Sequence, residues 1–116
     1  VPIALLIGDS GDVRDAVGLY LAGLGWTAVP LPPDPDALAA EIPALAPGLV
    51  VVDFRGRPGD AERCVAALAD AAGTSLRLLN VPPERLAGVR ALAPLATVAT
   101  QATGLPRAPG APPPPH

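Results

Sequence analysis

Two aspartates stand at the ends of short apolar runs: Asp9 follows Ile3–Gly8, and Asp53 closes the valines of Leu49–Phe54. If the two runs are neighbouring strands, their carboxylates meet. Paired carboxylates, with backbone carbonyls and water, suit Mg²⁺, a hard cation that takes oxygen ligands. One carboxylate of such a pair can attack phosphorus, its charge offset by the metal. A single Asp ahead of a helix more often caps it, so the pair carries this reading and neither residue does so alone. Other polar residues follow the same runs: Ser10, Gly11 and Asp12 after the first, Arg55 after the third, Asn80 after the fourth, and Thr100 and Gln101 after the fifth. Ser10 and Gly11 suit a turn. Asp12 and Asp15 suit the start of a helix, Asp12 as its cap. Arg55 and Arg57 suit a solvated loop, from which an arginine can also face a phosphate.

The elements that must position these residues are legible in the hydrophobic pattern. Five strand-length apolar runs recur: Ile3–Ile7, Trp26–Leu31, Leu49–Phe54, Leu76–Val81 and Leu95–Ala99. The first and third are apolar almost without a break, as in strands buried on both faces of a parallel sheet. Between them lie helical stripes. Val13, Val17, Tyr20, Leu21 and Leu24 make the first, closed by Gly25. Asp34-Pro35 opens a second, with Leu38 and Ile42 inward and Pro43 as its stop. Ala61, Cys64, Val65, Leu68 and Ala72 make a third, ended by Gly73. Leu86, Val89 and Leu92 make a fourth, between Pro83 and Pro94. Cys64 and Trp26 are read as packing residues. Strands alternating with helices predict an α/β fold, a doubly wound five-stranded parallel sheet of flavodoxin-like type. Ligands of such sheets sit beyond the carboxyl ends of the strands, where strand order switches. Composition changes near Gly104. Residues 1–103 are read as the domain, and 104–116, rich in Pro, Ala and Gly, as a disordered or extended tail or linker.

Composition removes several function classes. Net charge is −3, with 11 acids and 8 bases, all of them arginine. That is not the clustered positive charge of a nucleic-acid surface. One cysteine excludes an internal disulfide, and one histidine, His116, leaves no Cys/His metal site. No run reaches the roughly 18 apolar residues of a membrane span, and no signal peptide is visible. The expectation is a soluble cytoplasmic domain, and the Arg-, Ala- and Pro-rich usage suggests a GC-rich bacterial genome.

Two stretches resemble the receiver domain of bacterial two-component response regulators. The run Ala4–Val17, continuing through Leu21-Ala-Gly-Leu-Gly-Trp-Thr-Ala-Val29, is similar to the opening of receivers, where acids end the first strand and a helix leads to a Leu-Gly turn. Pro47–Gly59 is similar to their third strand, phosphoacceptor and proline-containing loop. The resemblance covers about Ile3 to Thr100. It implies Asp53 as phosphoacceptor, and Asp9, Asp53 and the backbone carbonyl of Arg55 as Mg²⁺ ligands. It implies a histidine kinase or other signalling protein as partner. The proline-rich end suggests, from composition, an output domain once joined to this chain, and a homodimer is a further expectation. The departures are equally specific. Gly8 stands where receivers carry the first of two acids. Asn80 or Val81 stands where they carry a Ser or Thr. Their lysine after the fifth strand is absent, since the chain has none. Their fifth helix is missing or atypical. The reading is a degenerate or pseudo-receiver, a non-enzymatic module acting by protein–protein interaction with weak or no Asp phosphorylation.

Three other readings compete. Gly8-Asp9-Ser10 resembles the nucleophile motif of GDS-type esterases, but the serine needs a base and only His116, in the tail, is of that kind. Leu49–Phe54 and Ser75–Pro82 resemble strands of a STAS-type regulatory domain, whose phosphorylatable serine motif Gly56–Asp60 does not supply. A small-molecule-binding flavodoxin-like domain could use Gly8 and Gly11 at a helix N-terminus, against repulsion from Asp9 and Asp12.

Overall fold

The computed structural model describes residues 2–8, 11–55, 58–68, 75–94, 96–99 and 105–108. Strand β1 (Ile3–Ile7) leads into α1 (Gly11–Gly23), then β2 (Thr27–Leu31), α2 (Pro35–Leu45), β3 (Leu49–Asp53), α3 (Pro58–Leu68) and β4 (Ser75–Leu79). A 3₁₀ turn (Pro83–Arg85) runs into α4 (Leu86–Leu92), and β5 (Thr97–Ala99) follows. All strand pairs are parallel, in the order β2-β1-β3-β4-β5. The chain steps from β1 outward to β2, then crosses back to place β3 on the other side of β1. That reversal is the switch point, and it lies between β1 and β3.

Each face of the sheet has its own core. Leu5, Ile7, Val50, Val52 and Leu78 pack with Leu38 of α2, Ala61, Cys64, Val65 and Leu68 of α3, and Val89 of α4. Ala4, Leu6, Leu49, Val51 and Leu79 pack on the opposite face with Val17 and Leu21 of α1 and with Trp26. The alternation along β1 and β3 is the period of two of a strand, and helices on both faces make both sets apolar. As the sequence pattern implied, Cys64 and Trp26 are core residues; burial pushes the Cys64 thiol up to about 11. Pro30 falls in β2, an edge strand, where a residue without an N–H is tolerated.

The end of α1 is set by chemistry local to Gly25. Its N–H bonds the carbonyl of Ala22 and the Trp26 N–H bonds that of Leu21, while Gly25 itself is left-handed at φ 93°. This is a Schellman closure, and its usual apolar contact is present, since Trp26 and Leu21 share a core cluster. Asp34 caps α2 as its sequence suggests, accepting the Asp36 N–H at 3.0 Å.

Three local expectations are corrected. Helix α1 opens at Gly11, so Asp12 lies in its first turn instead of capping it. Pro43 does not stop α2, which continues to Leu45 and closes at Ala46 in the left-handed region. Proline deprives only the Ala39 carbonyl of its partner. Ala39 is exposed to water, and Ile42 and Leu45 hold the last turn on the core. Leu92 is exposed, because Val89 and Ala93, four residues apart, take the inward stripe of α4. Among the described residues no helix follows β5. Instead Leu105–Ala108, assigned by composition to the tail, lie against the body with Leu105 and Ala108 buried. Ala72 and Gly73, expected at the end of α3, lie outside the described residues.

Two glycines two residues apart should respond oppositely to alanine. Gly25→Ala forces a side chain into the left-handed region and is expected to cost about 1–2 kcal/mol. Gly23 is helical with open space at its missing Cβ, so Gly23→Ala is expected to add about 0.5–1 kcal/mol. Urea unfolding of both variants checks the pair.

Candidate functional site

Strand β3 is buried along its whole length, and it ends in the one buried charged side chain among the described residues, Asp53. The sequence allows this because Leu49–Val52 satisfy both faces, so the strand's last residue enters a site already closed on two sides. The switch point places β1 on one flank of β3, with Ile7 level with Val52. Strand β4 lies on the other flank, with Leu79 level with Asp53. The Phe54 N–H bonds the Leu79 carbonyl at 3.0 Å, which carries the β3–β4 pairing one residue past the aspartate.

The Asp53 carboxylate is solvated unequally. Its Oδ1 accepts the backbone N–H of Arg55 at 2.9 Å and the side-chain amide of Asn80 at 3.2 Å. The Arg55 Nε lies 3.8 Å from the same oxygen. That guanidinium is more than half exposed, so water screens the pair. Oδ2 is buried and has no hydrogen-bond partner among the described residues. A buried carboxylate oxygen without a donor is costly, and such groups mark a site for a cation, a water or a reacting atom.

Asn80 reaches Asp53 because of its backbone. It follows β4 directly and adopts φ 58°, a left-handed conformation that asparagine tolerates better than other non-glycine residues. The turn aims its amide back across the sheet end. Sequence reasoning named Asn80 or Val81 at the end of this strand and assigned neither a contact. The available signal was an asparagine immediately after an apolar strand, where a left-handed turn is favoured.

Asp53, Arg55 and Asn80 are thus brought together. Asp9, Ser10, Arg57, Thr100, Gln101 and His116 lie outside the described residues. Val81, the other residue weighed for the Asn80 position, packs against the α2–α4 core. Among the described residues no three His, Cys, Asp or Glu side chains gather as a metal cluster.

No protein-family model matches the chain, and no curated protein matches it. Solved structures do. The receiver domain of Klebsiella pneumoniae RstA, in its BeF3-activated form, superposes with a TM-score of 0.68 at 18% identity, over 85% of this chain and 86% of that one. The Vibrio cholerae chemotaxis protein CheY4 gives 0.67 at 18% identity, over 84% and 83%. The pseudo-receiver domain of the CikA protein gives 0.67 at 16%, over 87% and 85%. The chain has the receiver fold. The doubly wound parallel sheet expected from the apolar runs is therefore the one observed.

The Asn80 contact can be tested apart from its backbone. Asn80→Gly keeps the left-handed turn and removes one bond to the carboxylate, at an expected cost of about 1.5–3 kcal/mol. Asn80→Ala adds the strain of a left-handed alanine, about 1–2 kcal/mol more. Equal unfolding midpoints for wild type and Asn80→Gly would show that the amide contributes nothing to the fold.

Proposed function

We propose that this chain is a signal-transduction regulatory domain of receiver type with a degenerate phosphotransfer site, acting through protein–protein contacts and with slow or no phosphorylation of Asp53. The observation that carries the reading is the Asp53 site itself. A buried carboxylate stands at the switch point of a receiver fold, bonded by an asparagine amide from the end of β4, in a chain that contains no lysine. The fold supports a regulatory role over an enzymatic one, because the reactive group would act only on itself.

The chemistry follows from what surrounds Asp53. As nucleophile, a carboxylate oxygen attacks the phosphorus of a small phosphodonor. The P–O or P–N bond to the leaving group breaks, and an acyl phosphate forms. Negative charge gathers on the phosphoryl oxygens, so nearby cations and donors set the rate. Asn80 can donate to such an oxygen, yet it supplies no charge. The Arg55 guanidinium is the described cation at the site, and its exposure weakens it. No ammonium can join them, since the chain has no lysine. These residues are a poor match to charge build-up, which supports slow transfer.

The Oδ2 of Asp53, unpaired among the described residues, fits a hard cation that keeps most of its water, as Mg²⁺ does. Asp53, the backbone carbonyl of Arg55 and Asp9 are the proposed ligands. Mg²⁺ bound there would offset the charge of the carboxylate and of an incoming phosphoryl group. Proposed partners are a histidine kinase or another signalling protein, or an output domain in the same chain, with a homodimer as a further form. A bacterial, cytoplasmic setting is part of the same proposal; no described helix is long and apolar enough to cross a membrane. The division at residue 103 or 104 is proposed from composition. Leu105–Ala108 belong to the tail by composition and to the body by packing.

The deciding experiment is incubation of the folded domain with Mg²⁺ and acetyl phosphate or phosphoramidate, read by intact mass spectrometry, with Asp53→Asn as control. The expected outcome is little or no phosphate-sized adduct on the wild type under conditions that fully label an ordinary receiver. Rapid stoichiometric labelling, abolished by Asp53→Asn, would establish a working phosphoacceptor and overturn the degenerate reading.

A further inference from the structure

The second half of α1 shows water no polar face. Its exposed residues from Ala16 onward are Ala16, Leu19, Ala22 and Gly23, all apolar. A surface helix normally turns a polar side outward, and a helix apolar all round is one that is covered. Val17 and Leu21 account for the inner side, in the sheet core. The outer side carries Leu19, 78% exposed and the most exposed large apolar side chain among the described residues.

Beside Leu19 the surface is hollow. A groove of about 700 Å³ runs between α1 and the rim strand β2, lined by Leu6, Gly18, Ala22, Trp26, Ala28 and Pro30. Small residues leave it open: larger side chains at Gly18, Ala22 or Ala28 would fill it. Asp15, toward the start of α1, is the one charge of the lining. Thr27, where β2 begins, is its one hydroxyl.

We propose that this flank of α1 is a self-association surface, on which each of two copies seats its Leu19 in the groove of the other. The proposal specifies a surface for the homodimer form of the proposed function, and it is independent of the chemistry at Asp53. Two features select a second copy as the occupant. The first is that the projection and the hollow lie side by side on one patch. A two-fold contact requires this, since what one copy projects the other must receive. With the two α1 helices antiparallel, Leu19 of each copy lies over Ala22 of the other, large against small, and the helices can approach closely.

Charge is the second feature. A strongly charged partner would find only Asp15 to pair with among the described residues of the patch. In the antiparallel arrangement each Asp15 points toward Thr27 of the other copy. The two Asp15 carboxylates then stand at opposite ends of the contact, on the order of 15 Å apart by helix rise. That exceeds the screening length of about 8 Å at physiological salt, so they do not oppose the pairing. An apolar centre with its charge at the rim is the usual anatomy of an interface. Pro30 bars the neighbouring β2 rim from ladder pairing at that position, which leaves side-chain packing as the mode of contact.

Sedimentation equilibrium on the whole chain tests this. The wild type is expected to dimerise with a dissociation constant on the order of 10 µM. Leu19→Glu should raise that constant about 100-fold, because two carboxylates would enter an apolar groove. It should leave the unfolding midpoint of the monomer nearly unchanged, since the side chain is exposed and both residues suit a helix. Mixing adds a signature of knob and hollow. A Leu19→Ala copy keeps an open groove and loses its projection, whereas an Ala22→Leu copy keeps the projection and fills its groove. Their equimolar mixture should associate about tenfold more tightly than either variant alone, because one Leu19 then meets one open groove. A dimer equally tight in the wild type and in Leu19→Glu would overturn this surface and leave the homodimer form standing. A wild type that stays monomeric to about 1 mM would overturn both. The groove would then belong to another segment of this chain or to a different protein.

Discussion

A charged group at the end of a strand with no solvent-facing side is the constraint around which this molecule is arranged. Parallel pairing on both flanks and apolar cover on both faces leave β3 one polar opening, at its carboxyl end. Asp53 takes it. The described groups near that opening make a buried carboxylate tolerable: the Arg55 N–H from the loop that follows, the Asn80 amide from just past β4, and the Phe54–Leu79 bond that holds the two strand ends together. Among the described residues one oxygen is served by donors and the other by none, and the proposed cation site rests on that asymmetry.

The same constraint bears on the proposed degenerate reading. The sheet needs the apolar runs and the turns; it does not need lysine or a second acid. The Asn80 amide ties the ends of β3 and β4 through Asp53 without supplying charge. On the proposed reading, a scaffold of this type can lose transfer rate residue by residue without losing shape.

How much of this the sequence discloses depends on the range of the interaction involved. Strand β1 matches its apolar run residue for residue, and β3 ends where its run meets a charge, because burial on both faces leaves an unbroken pattern. The caps at Asp34 and Gly25 are local chemistry and equally legible. Pro43 is the reverse case. Its local preference says stop, and the packing of Ile42 and Leu45 overrules it. The role of Asn80 depends on the register that sets Leu79 beside Asp53, a non-local fact that no window of sequence contains. The seating of Leu105 and Ala108 was hidden by the prolines around them, which read as tail. Trp26, read from sequence as a packing residue, spends its indole N–H on the Pro106 carbonyl, a contact 80 residues away.

Pro30 carries a consequence for assembly. Its strand, β2, forms one rim of the sheet, and the rim of any open sheet is a template for adding a further strand from another molecule. A ladder built there would meet a proline nitrogen that cannot donate, next to a ring that crowds an incoming backbone. That side of the molecule is therefore guarded against strand-by-strand stacking: a single imino acid interrupts the place where an added strand would begin.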